Sequence, residues 1–150
     1  MKKIIIIIAM LASYAMAKAQ QTEQLLNNYL QLKDHLVKSD NKSAATAAKS
    51  LQTLLDAQPA FAEKSAMLKI VKKIAGTTDI EKQRTGLGDL SPLMWKLVKR
   101  ATTLTKTIYY QYCPMKNLYW LSAEKEIKNP YYGKQMLTCG NVAETKEKTK

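Results

Sequence analysis

From Leu25 to Ile108 apolar side chains return every three or four residues, the period of an amphipathic helix, and this restricts most of the chain to helices. Leu25, Leu26, Tyr29, Leu30, Leu32, Leu36 and Val37 mark a first helix from about Thr22 to Lys38, followed by the polar turn Ser39-Asp40-Asn41. The alanine-rich run from Ser43 to Ala57 repeats the pattern through Ala44, Ala47, Ala48, Leu51, Leu54 and Leu55. Alanine is the best helix former, and its small side chain lets helices approach closely. Pro59 is expected to open a third helix carrying Met67, Leu68, Ile70, Val71 and Ile74, which Gly76 ends. Thr78 and Glu81 are spaced as N-cap and N3 of a capping box, so a fourth helix is expected through Leu90, Leu93, Met94, Leu97, Val98, Ala101, Leu104 and Ile108. Gly86, Gly88 and Pro92 predict either a kink in it or a restart with Ser91 as N-cap. The predicted fold class is mainly α, an up-and-down helical bundle of about four helices with short connections.

The C-terminal third has a different character. Tyr109, Tyr110, Tyr112, Tyr119, Trp120, Tyr131 and Tyr132 crowd into a short stretch together with Pro114, Asn129-Pro130 and Gly133, which favour turns. This predicts an aromatic-rich, irregular C-terminal cap over the end of the bundle, with short strands near Tyr119–Leu121 and Met136–Thr138. The aromatics either pack that cap or shield a site within it. The tail over residues 142–150 is charged and poor in apolar residues, and is expected to be disordered.

At the other end, Lys2-Lys3 precedes the apolar run Ile4 to Ala12, and Ala15-Met16-Ala17 and Ala17-Lys18-Ala19 both offer a small-x-small cleavage pattern. Residues 1–19 read as a signal peptide cleaved near Ala17 or Ala19, and the run is too short to span a membrane. The expected location is the periplasm, with no transmembrane segment in the mature chain. Loss of Lys2, Lys3 and Lys18 leaves 21 of the 24 basic residues against 12 acidic ones, a mature charge of about +9. Nucleic acid is an unexpected partner for an exported protein without a recognition motif. The scattered lysines fit a solvated surface, and weak contact with an anionic membrane surface stays open. Residues 20–141 are long enough for a single domain with its own core, and no internal repeat divides them.

Chemistry concentrates at the only two cysteines, each within three residues of a methionine: Cys113-Pro114-Met115 and Met136-Leu137-Thr138-Cys139. In an oxidising compartment a Cys113–Cys139 disulfide is the plain expectation, and closing that loop stabilises by about 3.5 kcal/mol on the chain-entropy model. The alternative is a soft-metal site of Cys113, Met115, Met136 and Cys139. Thiolate and thioether donors select Cu(I), or Ag(I) by similar softness, whereas zinc takes cysteine, histidine or carboxylate. The aromatic shell of such a site would be Tyr112, Tyr119, Trp120, Tyr131 and Tyr132. His35, the single histidine, reads as a surface or packing residue, and Met67 and Met94 as core filler. No catalytic residues are assigned: there is no nucleophile–base pairing, phosphate loop or CxxC motif, so the chain is not expected to be an enzyme.

Tyr112-Cys113-Pro114-Met115, Tyr119-Trp120-Leu121-Ser122, Asn129-Pro130-Tyr131-Tyr132-Gly133 and Met136-Leu137-Thr138-Cys139-Gly140 together resemble a periplasmic family, domain of unknown function 3347. Upstream, Tyr29-Leu30-Gln31-Leu32-Lys33-Asp34, the alanine-rich helix, Asp79-Ile80-Glu81-Lys82-Gln83-Arg84 and Leu90-Ser91 are similar as well, so the resemblance spans the mature chain. Such domains occur alone or attached to copper/silver heavy-metal efflux adaptors. The resemblance therefore implies metal handling with a heavy-metal efflux adaptor as partner. Lys116-Asn117 stands where the small metal-binding domain of those adaptors continues with a histidine.

Overall fold

A computed structural model describes residues 21–149; the expected signal peptide over residues 1–19 lies outside the described residues. Four helices are followed by a small sheet, so the chain is mainly α. Helix α1 covers residues 21–37. Then come α2 (Asn41–Ala57), α3 (Lys64–Ala75), α4 (Ile80–Arg100), β1 (Ile108–Cys113), β2 (Leu118–Ser122), a 3-10 turn (Gly133–Gln135) and β3 (Asn141–Lys146). Helix α2 packs on α3, α3 on α4, and α4 on β2.

Local chemistry explains the helix ends. Asp40 caps α2 by accepting from the Ser43 N–H at 3.0 Å. The cap of α4 is Asp79 rather than Thr78: its carboxylate accepts from the Glu81 and Lys82 N–H groups at 3.0 and 3.2 Å. Helix α3 starts at Lys64, after a turn, and not at Pro59. Gly76 ends it as expected, with its N–H on the Lys72 carbonyl.

Helix α4 runs unbroken through Gly86, Gly88 and Pro92 and is not restarted at Ser91. The glycines serve packing: a Cβ on Gly86 would sit 2.5 Å from Ile74 Cγ1, and one on Gly88 would sit 2.7 Å from Leu118 Cδ2. Ser91 is wholly buried, and its hydroxyl donates to the Leu87 carbonyl at 2.6 Å. With that proton committed, the Tyr29 hydroxyl donates to Ser91 Oγ at 2.6 Å and accepts from the Leu121 N–H at 3.1 Å. One directed chain of hydrogen bonds thus joins β2, α1 and α4.

The fourth helix stops at Arg100, and Leu104 and Ile108, expected on it, reach the core from the connection and from β1. The cap is ordered as an antiparallel sheet in the order β2-β1-β3. Tyr112 pairs with Tyr119 on one side and Asn141 on the other, and a bulge falls at Tyr110/Gln111. The strand expected near Tyr119–Leu121 is β2, whereas Met136–Thr138 forms a turn in which the Cys139 N–H meets the Met136 carbonyl at 3.1 Å. The charged tail is not frayed over residues 141–146, which form β3; an edge strand with solvent-facing side chains needs ladder partners, not an apolar face. On the outer side of β2, the Tyr131 hydroxyl donates to the Tyr119 carbonyl, next to the Tyr29–Leu121 bond.

Tyr29, Trp120 and Tyr131 are the bulkiest wholly buried side chains, joined by Leu26, Leu32, Leu36, Leu51, Leu55, Leu87 and Leu90. Met67 and Met94 are core filler as expected. Among the described residues no helix is long and apolar enough to cross a membrane.

Candidate metal centre

Cys113 is the last residue of the central strand, wholly buried, and Cys139 lies half-buried in the loop that feeds the third strand. Strand pairing explains their meeting. Tyr112 is in register with Asn141, so the residues just outside the ladder, Cys113 and Gly140-Cys139, run side by side. The two cysteines are neighbours, the Cys113 sulfur close enough to act on the Cys139 thiol, and both are free, not joined as a disulfide. Partial burial pushes the Cys139 thiol above its usual range, and the neighbouring Cys113 sulfur adds to the shift.

Three features hold the 136–140 segment against β1. Gly140 has φ +150°, and a Cβ there would lie 2.8 Å from both the Tyr112 carbonyl and the edge of the Trp120 ring. Only glycine fits that approach. Asn129 is wholly buried and acts as a clasp. Its side-chain amide donates to the Cys139 carbonyl at 2.6 Å, its N–H donates to the Leu137 carbonyl at 2.7 Å, and its Oδ1 accepts from the Tyr131 N–H at 2.8 Å. Arg84 fixes the next residue along: Nε donates to the Pro130 carbonyl at 2.9 Å, while the guanidinium also meets Glu81 at 2.6 Å and Ser39 Oγ at 3.0 Å.

The aromatic residues divide between two roles. Trp95, Tyr110, Tyr119 and Tyr112 form a column with centroid spacings of 4.9, 4.7 and 4.6 Å, which ties α4 to the sheet. Trp120 and Tyr131 meet edge to face at 5.9 Å beneath Gly140. Tyr132 is half-buried and carries the Lys116 ammonium 5.2 Å from its ring centre, and Lys116 also reaches Glu81 at 3.6 Å. This contact fastens the Pro114–Asn117 turn to α4.

The four sulfurs are therefore unequal. Cys113 is buried and Cys139 half-buried, whereas Met115 and Met136 are exposed by 62% and 36% in the turns beside them. Among the described residues no three His, Cys, Asp or Glu side chains converge as a metal cluster. The donor set is a thiol pair flanked by thioethers, which suits a soft monovalent cation of low coordination number and offers zinc too few of its preferred ligands. His35 stands half-buried near the end of α1. The sequence reading did not identify Asn129 as a clasp or Arg84 as an anchor. Asn129-Pro130 signalled only a turn, and nothing local to Arg84 forecasts contacts to residues so distant in the chain.

A family model described as "Protein of unknown function (DUF3347)" matches residues 25–106, more than half of the chain. The matched segment takes in α2 to α4 and all but the first turn of α1, and ends before β1, so both cysteines lie outside it. No curated protein matches the chain, and no solved structure does.

Proposed function

The chain belongs to the DUF3347 family, and from that premise we propose that it binds Cu(I) or Ag(I) outside the cytoplasm. Its role is sequestration, or delivery to a heavy-metal efflux adaptor, without catalysis. The observation that carries this reading is the strand register that sets the unjoined Cys113 and Cys139 side by side. As thiolates they are the principal ligands, with Met115 and Met136 as thioether supplements. Trp120 and Tyr131 wall the inner side, and Tyr112, Tyr119 and Tyr132 the outer. Residues 1–19 direct export to the periplasm and are then removed, and an up-and-down arrangement of the helices serves as the platform. Surface lysines allow weak contact with an anionic membrane, and no nucleic acid is engaged.

Titration of the reduced full chain with Cu(I) or Ag(I) against a competing chelator tests the reading. Tight one-to-one binding that disappears in the Cys113→Ser/Cys139→Ser variant supports it; unchanged affinity in that variant defeats it.

The same proximity favours a second reading, a Cys113–Cys139 disulfide in a structural or interaction module of the cell envelope. The strand register makes the two residues neighbours, as a disulfide with its short Cα separation requires. Thiol counting by mass spectrometry on protein isolated from the periplasm separates the readings: an oxidised pair resistant to mild reductant selects the staple.

A further inference from the structure

The fold treats its methionines in two ways. Met67 and Met94 are wholly buried, whereas Met115 and Met136 are exposed and, with Leu137, are the exposed large apolar side chains among the described residues. All three sit in the two turns that flank the thiol pair. Burying a side chain of this size stabilises by about 1.5–3 kcal/mol; Met115 gives most of that up, and Met136 about a third. Packing thus accounts fully for Met67 and Met94 but leaves Met115, and part of Met136, unexplained. What an exposed methionine still offers is a soft, neutral sulfur on a flexible stem.

Chain length keeps these sulfurs close to the thiols. Met115 follows Cys113 by two residues, so its backbone lies within about 7 Å, and Met136 precedes Cys139 by three, within about 11 Å, at the maximal reach of a chain. The hydrogen bond from the Cys139 N–H to the Met136 carbonyl shortens the second distance further. Exposure falls from 62% at Met115 and 36% at Met136 to none at Cys113, a gradient running from solvent to the buried thiol.

We propose that Met115 and Met136 form an outer capture site for Cu(I) or Ag(I), which hands the ion inward to Cys113 and Cys139. This assignment rests on the dithiol reading of the preceding section and adds a direction of travel to it. The transfer is ligand exchange without redox change. Two metal–thioether bonds break, two metal–thiolate bonds form, and the two thiol protons leave to solvent. The methionines act chiefly on the path of entry, and as supplements to the bound ion they add little to the affinity that the cysteines set.

Stopped-flow transfer of Cu(I) from a chromophoric chelator to the reduced full chain tests the assignment, read beside equilibrium competition. The Met115→Leu/Met136→Leu variant keeps the apolar bulk and removes both sulfurs. Its transfer is expected to slow about tenfold while its equilibrium affinity holds. An unchanged rate overturns the proposal, and so does a fall in affinity as large as the fall in rate, which would make the methionines principal ligands beside the cysteines. In a second arm, Cys113→Ser/Cys139→Ser protein is expected to retain weak Ag(I) binding by calorimetry that is lost when both methionines are also replaced by leucine. Absence of that weak binding likewise overturns the capture site. Loss of tight binding by the unmodified protein would instead remove the dithiol reading itself, so the two failures are distinguishable.

Discussion

Gly140→Ala probes the contact that brings the cysteines together. Alanine at φ +150° occupies a backbone region that is essentially glycine-only, at a cost of about 1–3 kcal/mol. The new methyl group also falls 2.8 Å from the Tyr112 carbonyl and 2.8 Å from the wholly buried Trp120 ring, with Ile127 at 3.3 Å. Neither close neighbour can yield cheaply. Tyr112 is held in the central strand by pairing on both sides, and Trp120 is packed against Tyr131. Overpacking of this kind adds about 1–3 kcal/mol, so a combined loss of about 3 kcal/mol is expected. The chain can relieve the overlap most easily by lifting residues 136–140 off β1, which separates the thiols. Urea unfolding should therefore show a lower midpoint at unchanged slope, and Cu(I) affinity should fall at least about tenfold. Gly88→Ala is the matched control. Its methyl group meets only the movable end of Leu118, and the gain of about 1 kcal/mol in helix propensity offsets part of the overlap. It should cost less than about 1 kcal/mol and leave metal affinity alone. Equal stability of Gly140→Ala and the unmodified protein would refute the account of how the loop is seated. Destabilisation with intact metal affinity would show that seating and thiol pairing are independent.

Other perturbations test the surroundings of the site. Arg84→Met removes charge-assisted bonds to Pro130, Glu81 and Ser39 and should destabilise by about 2 kcal/mol, with faster hydrogen exchange at the Tyr131 amide; a loss below about 0.5 kcal/mol would discount Arg84 as an anchor. Burial raises the phenols of Tyr29 and Tyr131 well above their usual range and that of Tyr110 to about 12. The folded state therefore prefers the neutral phenols, so their stabilisation is intact below about pH 10 and is lost as pH rises above it. Denaturation midpoints should stay level up to that pH and then fall, and Tyr110→Phe should soften the fall. Glu63 behaves with the opposite sign. Its two hydrogen bonds from Arg100, at 2.9 and 2.7 Å, lower its pKa, so its contribution is present above the ordinary glutamate pKa and fades as pH falls through the lowered one. Arg100→Met should flatten that acid limb at a cost of about 1 kcal/mol, because the arginine side chain is more than half exposed.

How far the sequence forecasts the fold differs from one element to the next. Helix α1 follows directly from its leucines, every one of which is buried from Leu25 to Leu36, and α2 from its alanines. Such stripes are local signals. The continuity of α4 is not local: Gly86 and Gly88 lower helix propensity, and only Ile74 and Leu118, distant in sequence, reveal why small residues belong there. The same limit applies to β3. Residues 142–146 show no apolar alternation because they form an edge, and their partner strand lies about thirty residues earlier. At the site, sequence pointed to the cysteines through their rarity and their methionine neighbours, and both readings of them required proximity. The means of that proximity, the Gly140 approach and the Asn129 clasp, depend on atoms that no spacing rule connects. The family match adds nothing at this point, since it ends at residue 106.

The hydroxyls of Tyr29 and Tyr131 that occupy the outer backbone groups of β2 have a consequence for self-association. With the Leu121 N–H and the Tyr119 carbonyl already engaged, that border of the sheet is a poorer template for a foreign strand. Growth by strand addition is left to the opposite border, where Lys146 and the charged residues after it disfavour stacking of like chains. Two phenols that pack on the interior of this molecule thereby contribute to keeping it dispersed.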